Sequence, residues 1–222
     1  MTYDTIKRVG TAVFVLGSSG ATLFLAGKSD RENRRDVYEA QRRRLDENLI
    51  APSNATFATI WPVLYFGLSG LAIHQALPSQ KRNHRYRQAR PWLLASFAFN
   101  ALFGYYFSQN SQASRFRSSL ITNANLHPVI KVHQALEIGG KRQPQPERLW
   151  QKFVGGYAGW LTVATIVRGG NLLIEYGYHP SSTKSVQWAS IVLPATVLLG
   201  ATVECRLKNP AYLLPFVTGF TG

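Results

Sequence analysis

Long apolar runs without a charged side chain set the strongest limit on how this chain can fold. The clearest is 52–78, which contains no Asp, Glu, Lys or Arg. An α-helix rises about 1.5 Å per residue, so about twenty such residues cross the hydrocarbon core of a bilayer. Similar runs recur at 9–27, 91–109, 153–174 and 186–203, the third of these interrupted by Arg168. The pattern predicts an all-α, polytopic transmembrane helix bundle.

The chain is strongly basic, with a net charge of +14. In a soluble protein such a charge would suggest nucleic acid as the partner. Here the basic residues lie between the apolar runs, in 28–44, 81–90 and 141–152, and no recognised nucleic-acid motif accompanies them. We therefore predict contact with the anionic headgroups of a lipid bilayer, and no nucleic acid. The single Cys205 excludes an internal disulfide and a cysteine-based metal site.

The first apolar run follows Lys7 and Arg8, as the core of a secretory signal would. We favour a retained first helix, because the run is longer than a usual signal core. The charged connector 28–51 has a helix-compatible order and predicts a surface helix over the membrane, with a lid over a binding cleft as the alternative. Lys and Arg are nearly balanced between the two sides of the predicted bundle, which leaves its orientation open.

Segment 115–136 is the weakest predicted span, because it contains Asn123, Asn125, Lys131 and two histidines. Such side chains are costly in lipid, so they must face partner helices, a cavity or water. His127 or His133 alone could bind a haem iron or a chlorophyll magnesium, although a solvated histidine is the simpler interpretation. The sequence predicts no metal site beyond these two weak candidates.

The carboxyl-terminal part adds one more apolar run and a tail. Residues 186–205 predict an additional transmembrane helix, and the tail covers 206–222. Its apolar stretch 211–220 is about half the length needed to cross a bilayer. A re-entrant or interfacial segment is the expectation for it.

The first signature lies in 48–67, where Trp61 and Tyr65 follow Pro52 and Phe57 and precede Gly67. This resembles the second-helix signature of the TspO/MBR family, the tryptophan-rich sensory or translocator proteins. Because Trp61 and Tyr65 are four residues apart, they lie on one helix face. Residues 73–90 are similar to the second connector of the longer bacterial and cyanobacterial-type members.

Two further matches follow in order along the chain. Asn100 matches the intramembrane Asn of the family's third helix, and 157–166 resembles its fifth-helix signature. The resemblance implies a five-helix core in 1–174, with spans near 9–27, 57–77, 91–109, 115–136 and 153–174, plus one extra carboxyl-terminal helix. The chain departs from the family at 101–103, where Trp is usual, and at Arg168, where Asn is usual. Its fourth helix is also far more polar.

The resemblance implies a site for a tetrapyrrole, such as a porphyrin or haem, or another hydrophobic small molecule, in a cleft between helices. Arg168 is a candidate clamp for a propionate group. Helix packing is the alternative for each aromatic residue, and a bond to a neighbouring helix is the alternative for Asn100. The tentative ligand-binding residues are Trp61, Tyr65, Asn100, Tyr157, Trp160 and Arg168.

The leading hypothesis is therefore an integral, multi-pass protein of a bacterial inner membrane or an organellar membrane, with a sensory, transport or stress role. The alternative is a structural or accessory subunit of a larger membrane complex in which the ligand site is lost. A homodimer is compatible with the first hypothesis. No catalytic constellation is recognised in the sequence, while the light-dependent porphyrin breakdown of some bacterial members remains a third hypothesis.

Overall fold

A computed structural model describes residues 3–32, 50, 52, 54–109, 111–139, 144–178 and 181–221. Within these ranges the chain is helical and has no strand, which confirms the predicted all-α fold class. The α-helices are α1 Tyr3–Glu32, α2 Asn54–Ala76, α3 His84–Phe107, α4 Gln112–Ala135, α5 Glu147–Glu175, α6 Ser182–Leu207 and α7 Leu214–Thr221. Two 3₁₀ turns, Pro78–Gln80 and Pro210–Leu213, precede α3 and α7.

Four of the long helices, α1, α3, α5 and α6, begin before the apolar runs that predict them. For example, α3 begins at His84, seven residues before the predicted start of its span at Pro91. Arg and Gln favour helix as strongly as most apolar residues do, so charged flanks continue a helix beyond its apolar part. The charged connector was predicted over 28–51; its first five residues belong to α1, and 33–49 and 51 lie outside the described residues.

Within the described residues, length and composition alone qualify two helices as membrane spans, Tyr3–Lys28 and Thr183–Leu207. Two of the remaining predicted spans, α3 and α4, contain more polar side chains. In α3 and α4 some of these, such as Asn100 and Asn125, point into the bundle. A helix that turns polar residues toward its neighbours needs fewer apolar residues than a helix that faces lipid on most sides.

Five helices form a closed ring. Helix α1 contacts α2 and α3, α3 contacts α4, α4 contacts α5, and α5 returns to α2. The inward faces supply the core, which includes Leu68, Phe97, Val129 and Val154. Helix α6 lies outside this ring against α5, the Pro210–Leu213 turn and α7, and it exposes large apolar side chains such as Ile191.

The carboxyl-terminal tail folds back onto α5. A Cβ atom added at Gly155 would overlap the side chain of Asn209, and one added at Gly159 would overlap the carbonyl oxygen of Tyr212. The Tyr212 hydroxyl also lies 2.9 Å from Thr162 Oγ1. The glycines of α5 thus permit a close approach that larger residues would prevent.

Arg8 joins α1 to the end of α2. Its Nη1 donates to the carbonyl oxygens of Ala76 and Leu77 at 2.8 and 2.7 Å, and its Nε donates to Asp4 at 3.0 Å. Asp4 also accepts from Arg90 of α3 at 3.2 Å. A cation stabilises the unpaired carbonyls at a helix carboxyl end. The basic pair that suggested a signal sequence therefore includes one buried structural residue.

Candidate functional site

Trp61 lies at the centre of an aromatic cluster built by α2, α3 and α5. Its ring centroid is 5.3 Å from Tyr65 and 5.7 Å from Phe103. On the α5 side it is 6.3 Å from Tyr157 and 6.0 Å from Trp160. These separations are typical of favourable aromatic contacts. Helices far apart in the chain thus bring the Trp and Tyr residues of both sequence signatures together.

A hydrogen-bonded triad lies beside the aromatic cluster. Asn100 Oδ1 accepts from the Tyr157 hydroxyl at 2.7 Å and from Asn125 Nδ2 at 3.3 Å. Asn125 Nδ2 also donates to the Tyr157 hydroxyl at 2.9 Å. All three residues are buried, so these bonds join α3, α4 and α5 where water does not compete.

The triad leaves one hydrogen-bond donor and one hydrogen-bond acceptor unpaired. Among the described residues, Asn100 Nδ2 and Asn125 Oδ1 have no hydrogen-bond partner. Leaving such a buried group unpaired costs about 1–3 kcal/mol. The site can therefore offer a neutral polar group both a donor and an acceptor, next to the aromatic rings.

Arg168 lies next to this cluster and not inside it. Its Nη1 donates to Ser118 Oγ at 3.0 Å, and its guanidinium carbon is 5.0 Å from the Phe103 ring and 5.3 Å from the Phe107 ring. The two phenylalanine rings stack at 5.2 Å. Phe103 also contacts Trp61, so it connects the cation to the central cluster.

The departures from the family pattern therefore meet in space. Phe103 stands in the segment where the family usually carries Trp, Arg168 stands where it usually carries Asn, and Ser118 belongs to the unusually polar fourth helix. In the structure the Arg168 side chain contacts both of the others. They form a single local arrangement, although they are widely separated in the sequence.

The predicted site residues divide into three groups. Trp61, Tyr65, Asn100, Tyr157 and Trp160 form one connected cluster, and Arg168 borders it. The histidines lie apart: His127 is exposed and contacts the Trp92 ring, while His133 is buried 3.4 Å from Asn209 Nδ2. Within the described ranges no group of three or more His, Cys, Asp or Glu could hold a metal ion.

Sequence reasoning did not assign Asn125, Ser118, Phe103 or Phe107 to the site. A signal for the first two was present, because Ser118, Thr122 and Asn125 follow the four-and-three spacing of one helix face. All three are buried in the structure. Phe103 and Phe107 follow Asn100 at the same three-and-four spacing, although aromatic residues in an apolar helix also face lipid.

The fold and the site together define a class of protein: a helical bundle whose five-helix ring encloses buried Trp, Tyr and Asn side chains. A sequence model of the family described as TSPO-like protein matches residues 13–222. The chain therefore belongs to the TSPO-like family and is a membrane protein of the TspO type. The match includes α6 and the tail as well as the five-helix ring. No curated protein and no solved structure matches the chain.

Proposed function

We propose that this protein crosses the membrane several times and binds a tetrapyrrole or another hydrophobic ligand around Trp61, in a sensory, transport or stress role. One observation carries the proposal. The aromatic and amide residues that the family resemblance marks as ligand-binding converge from α2, α3 and α5 on one buried place. Mostly aromatic linings with a few polar groups are typical of small-molecule sites.

Each part of the site suits one part of an amphipathic ligand. The rings of Trp61 and Trp160 favour a planar apolar body. The free donor of Asn100 and the free acceptor of Asn125 suit a neutral polar group. Arg168, which is held against two aromatic rings, suits a carboxylate such as a propionate.

Binding requires the central rings to separate. Trp61 is 8% exposed and Trp160 1%, because the side chains of the cluster pack against one another. The Trp61 and Phe103 rings are nearly parallel, with an interplanar angle of 28°. A planar ligand inserted between these two rings would keep stacking on both sides while the helices move apart. Phe103 would then act as the second wall of the site.

Fluorescence titration tests this proposal. Protein in detergent is titrated with protoporphyrin or haemin, and the quenching of Trp emission is measured. We expect saturable quenching that is strongly weakened by Trp61→Phe. Trp188→Phe is the matched control, because Trp188 lies on α6 with 45% of its surface exposed. We expect the control to retain the affinity of the unmodified protein.

Two results would count against a ligand site at Trp61. One is the absence of saturable quenching by either compound. The other is an equal loss of affinity in the Trp61→Phe and Trp188→Phe variants, since that would indicate binding at the detergent-facing surface.

A structural role in a larger membrane complex is the second candidate. Asn123 and His127 are exposed on the outer face of α4, where contact with lipid would be costly. A partner subunit would cover them. Against this candidate, Arg168, Ser118 and Asn125 already find contacts within the chain. Size analysis in mild detergent separates the two functions, because a stable monomer or small homodimer contradicts the subunit role.

A further inference from the structure

Among the residues that the structure describes, one end of the bundle carries most of the exposed positive charge. We call it the amino-end surface, and it is the end where α1, α3 and α5 begin and α2, α4 and α6 finish. Contacts join these termini, including Arg8 with the carbonyl of Leu77, Arg85 with Glu147, and Asn209 with the carbonyl of Gln151. The surface is therefore one continuous face of the protein.

Most acidic residues of this surface are occupied by internal ion pairs. Glu147 is nearly buried and accepts from Arg85 Nη2 at 3.0 Å through both carboxylate oxygens. Asp4 pairs with Arg8 and Arg90, and Glu137 lies 4.0 Å from Arg85. Glu204 of α6 is the fourth acid described at this end. The acids mainly hold helix ends together and neutralise few outward-facing cations.

The outward-facing cations come from all six long helices or the turns beside them. They are exposed or half-exposed, and they surround the perimeter of the bundle. Their members are Lys7, Lys81, Arg82, Arg87, Lys131, Arg148, Lys152, Arg206 and Lys208.

The opposite end has a different balance of charge. There Arg115 pairs with Glu175 at 2.7 Å, and Arg168 is directed to Ser118 and the Phe103 ring. The exposed cations that the described residues place at this end are fewer, namely Lys28, Arg117 and Lys184. Excess positive charge is therefore concentrated at the amino-end surface.

We propose that the amino-end surface binds the anionic phospholipid headgroups of one membrane leaflet and so fixes the orientation of the protein. A ring of cations around the bundle matches a plane of phosphate groups that surrounds a membrane protein on every side. Each Lys or Arg near an anionic leaflet adds to the attraction, which salt screens over about 10 Å at 0.1 M. A compact polyanion would instead require the cations to be clustered on one side of the bundle.

Lipid selectivity measures this interaction. The full chain is reconstituted in phosphatidylcholine bilayers containing phosphatidylglycerol, and electron spin resonance compares spin-labelled forms of both lipids in the protein-contacting shell. We expect a preference for phosphatidylglycerol that falls as salt is raised. The Arg82→Gln/Arg87→Gln variant should lower this preference at least about threefold at low salt.

The matched control removes two exposed cations from the opposite end, in the variant Arg117→Gln/Lys184→Gln. We expect it to keep most of the preference for phosphatidylglycerol. No preference in the unmodified protein, or an equal loss in both variants, overturns the proposal. So does a result in which Arg82→Gln/Arg87→Gln weakens binding to an RNA oligonucleotide while lipid selectivity stays unchanged.

Discussion

At the scale of single residues, Arg168 shows how a charge is accommodated within an apolar helix. The sequence indicates that it needs water, Asn171, Glu175, a carboxylate ligand or a partner protein. The structure provides a hydrogen bond to Ser118, 50 residues earlier, and two aromatic rings. The need for such contacts was predictable from the cost of an unpaired charge. Their identity was not, because it depends on how α3 and α4 pack against α5.

If Arg168 binds a carboxylate, its removal should affect only ligands that carry one. We expect Arg168→Gln to weaken the binding of protoporphyrin about tenfold or more, as loss of a charge-assisted hydrogen bond costs about 1.5–3 kcal/mol. Binding of protoporphyrin dimethyl ester, which lacks the free carboxylates, should change little. The dissociation constants of both compounds are measured by fluorescence titration.

Arg117→Gln serves as the control for this comparison. The Arg117 guanidinium lies 5.5 Å from the Tyr106 ring, so it is also a cation over an aromatic residue, but it is exposed on α4. We expect this variant to bind both compounds like the unmodified protein. Equal weakening of acid and ester by Arg168→Gln would show that the residue supports packing and does not recognise a carboxylate.

At the scale of helices, apolar runs predicted an all-α chain, but not where each helix ends or which way its polar faces turn. Helix α4 illustrates the difference. Asn125 is directed into the bundle while Asn123 and His127 are exposed on the outside. Hydropathy depends only on composition. The direction in which a side chain points depends also on the helices that pack against its own helix on folding. The two signatures indicated the aromatic residues of the candidate site, whereas the spacing of Ser118, Thr122 and Asn125 indicates only a polar face of α4 and not the helices that this face meets.

Helix α5 also carries a prediction about the tail. In Gly159→Ala the added Cβ would overlap the carbonyl oxygen of Tyr212, so the tail must shift away from α5. Overpacking of this kind typically costs about 1–3 kcal/mol. We expect a lower thermal midpoint in detergent and faster proteolytic cleavage of residues 208–216.

The matched control is Gly169→Ala in the same helix, because nothing lies within 4 Å of a Cβ added at that position. Alanine favours helix over glycine by up to about 1 kcal/mol, so this variant should be as stable as the unmodified chain or slightly more stable. A Gly159→Ala variant with unchanged stability and unchanged cleavage would contradict the packing of the tail on α5.

At the scale of the whole molecule, the interior of the α1–α5 ring and the outer face of α6 differ in exposure. The ring encloses Trp160, which is 1% exposed, while α6 presents Trp188, which is 45% exposed. Family membership places the chain in a membrane, and the exposed apolar side chains of α6 are what lipid would contact. The sequence predicted a bundle of helices. The closed ring with one helix outside it is seen only in the contacts between helices.

Brominated lipids distinguish these surfaces, because they quench only the tryptophans that they can touch. In bilayers containing such lipids, we expect Trp188→Phe to remove a quenched component of the emission. Trp160→Phe should leave that component in place. A larger loss of quenching in Trp160→Phe than in Trp188→Phe would mean that lipid reaches the centre of the ring and does not reach α6.

The docking of the tail has a consequence for the order in which the chain assembles. The segment that covers Gly155 and Gly159 includes Asn209 and Tyr212, which leave the ribosome only after α6 has been made. The ring itself needs no residue beyond α5, so it can close during synthesis while the glycine face is still bare. The packing thus allows assembly in two steps, an early one that joins five helices and a later one in which α6 turns the chain back to cover α5.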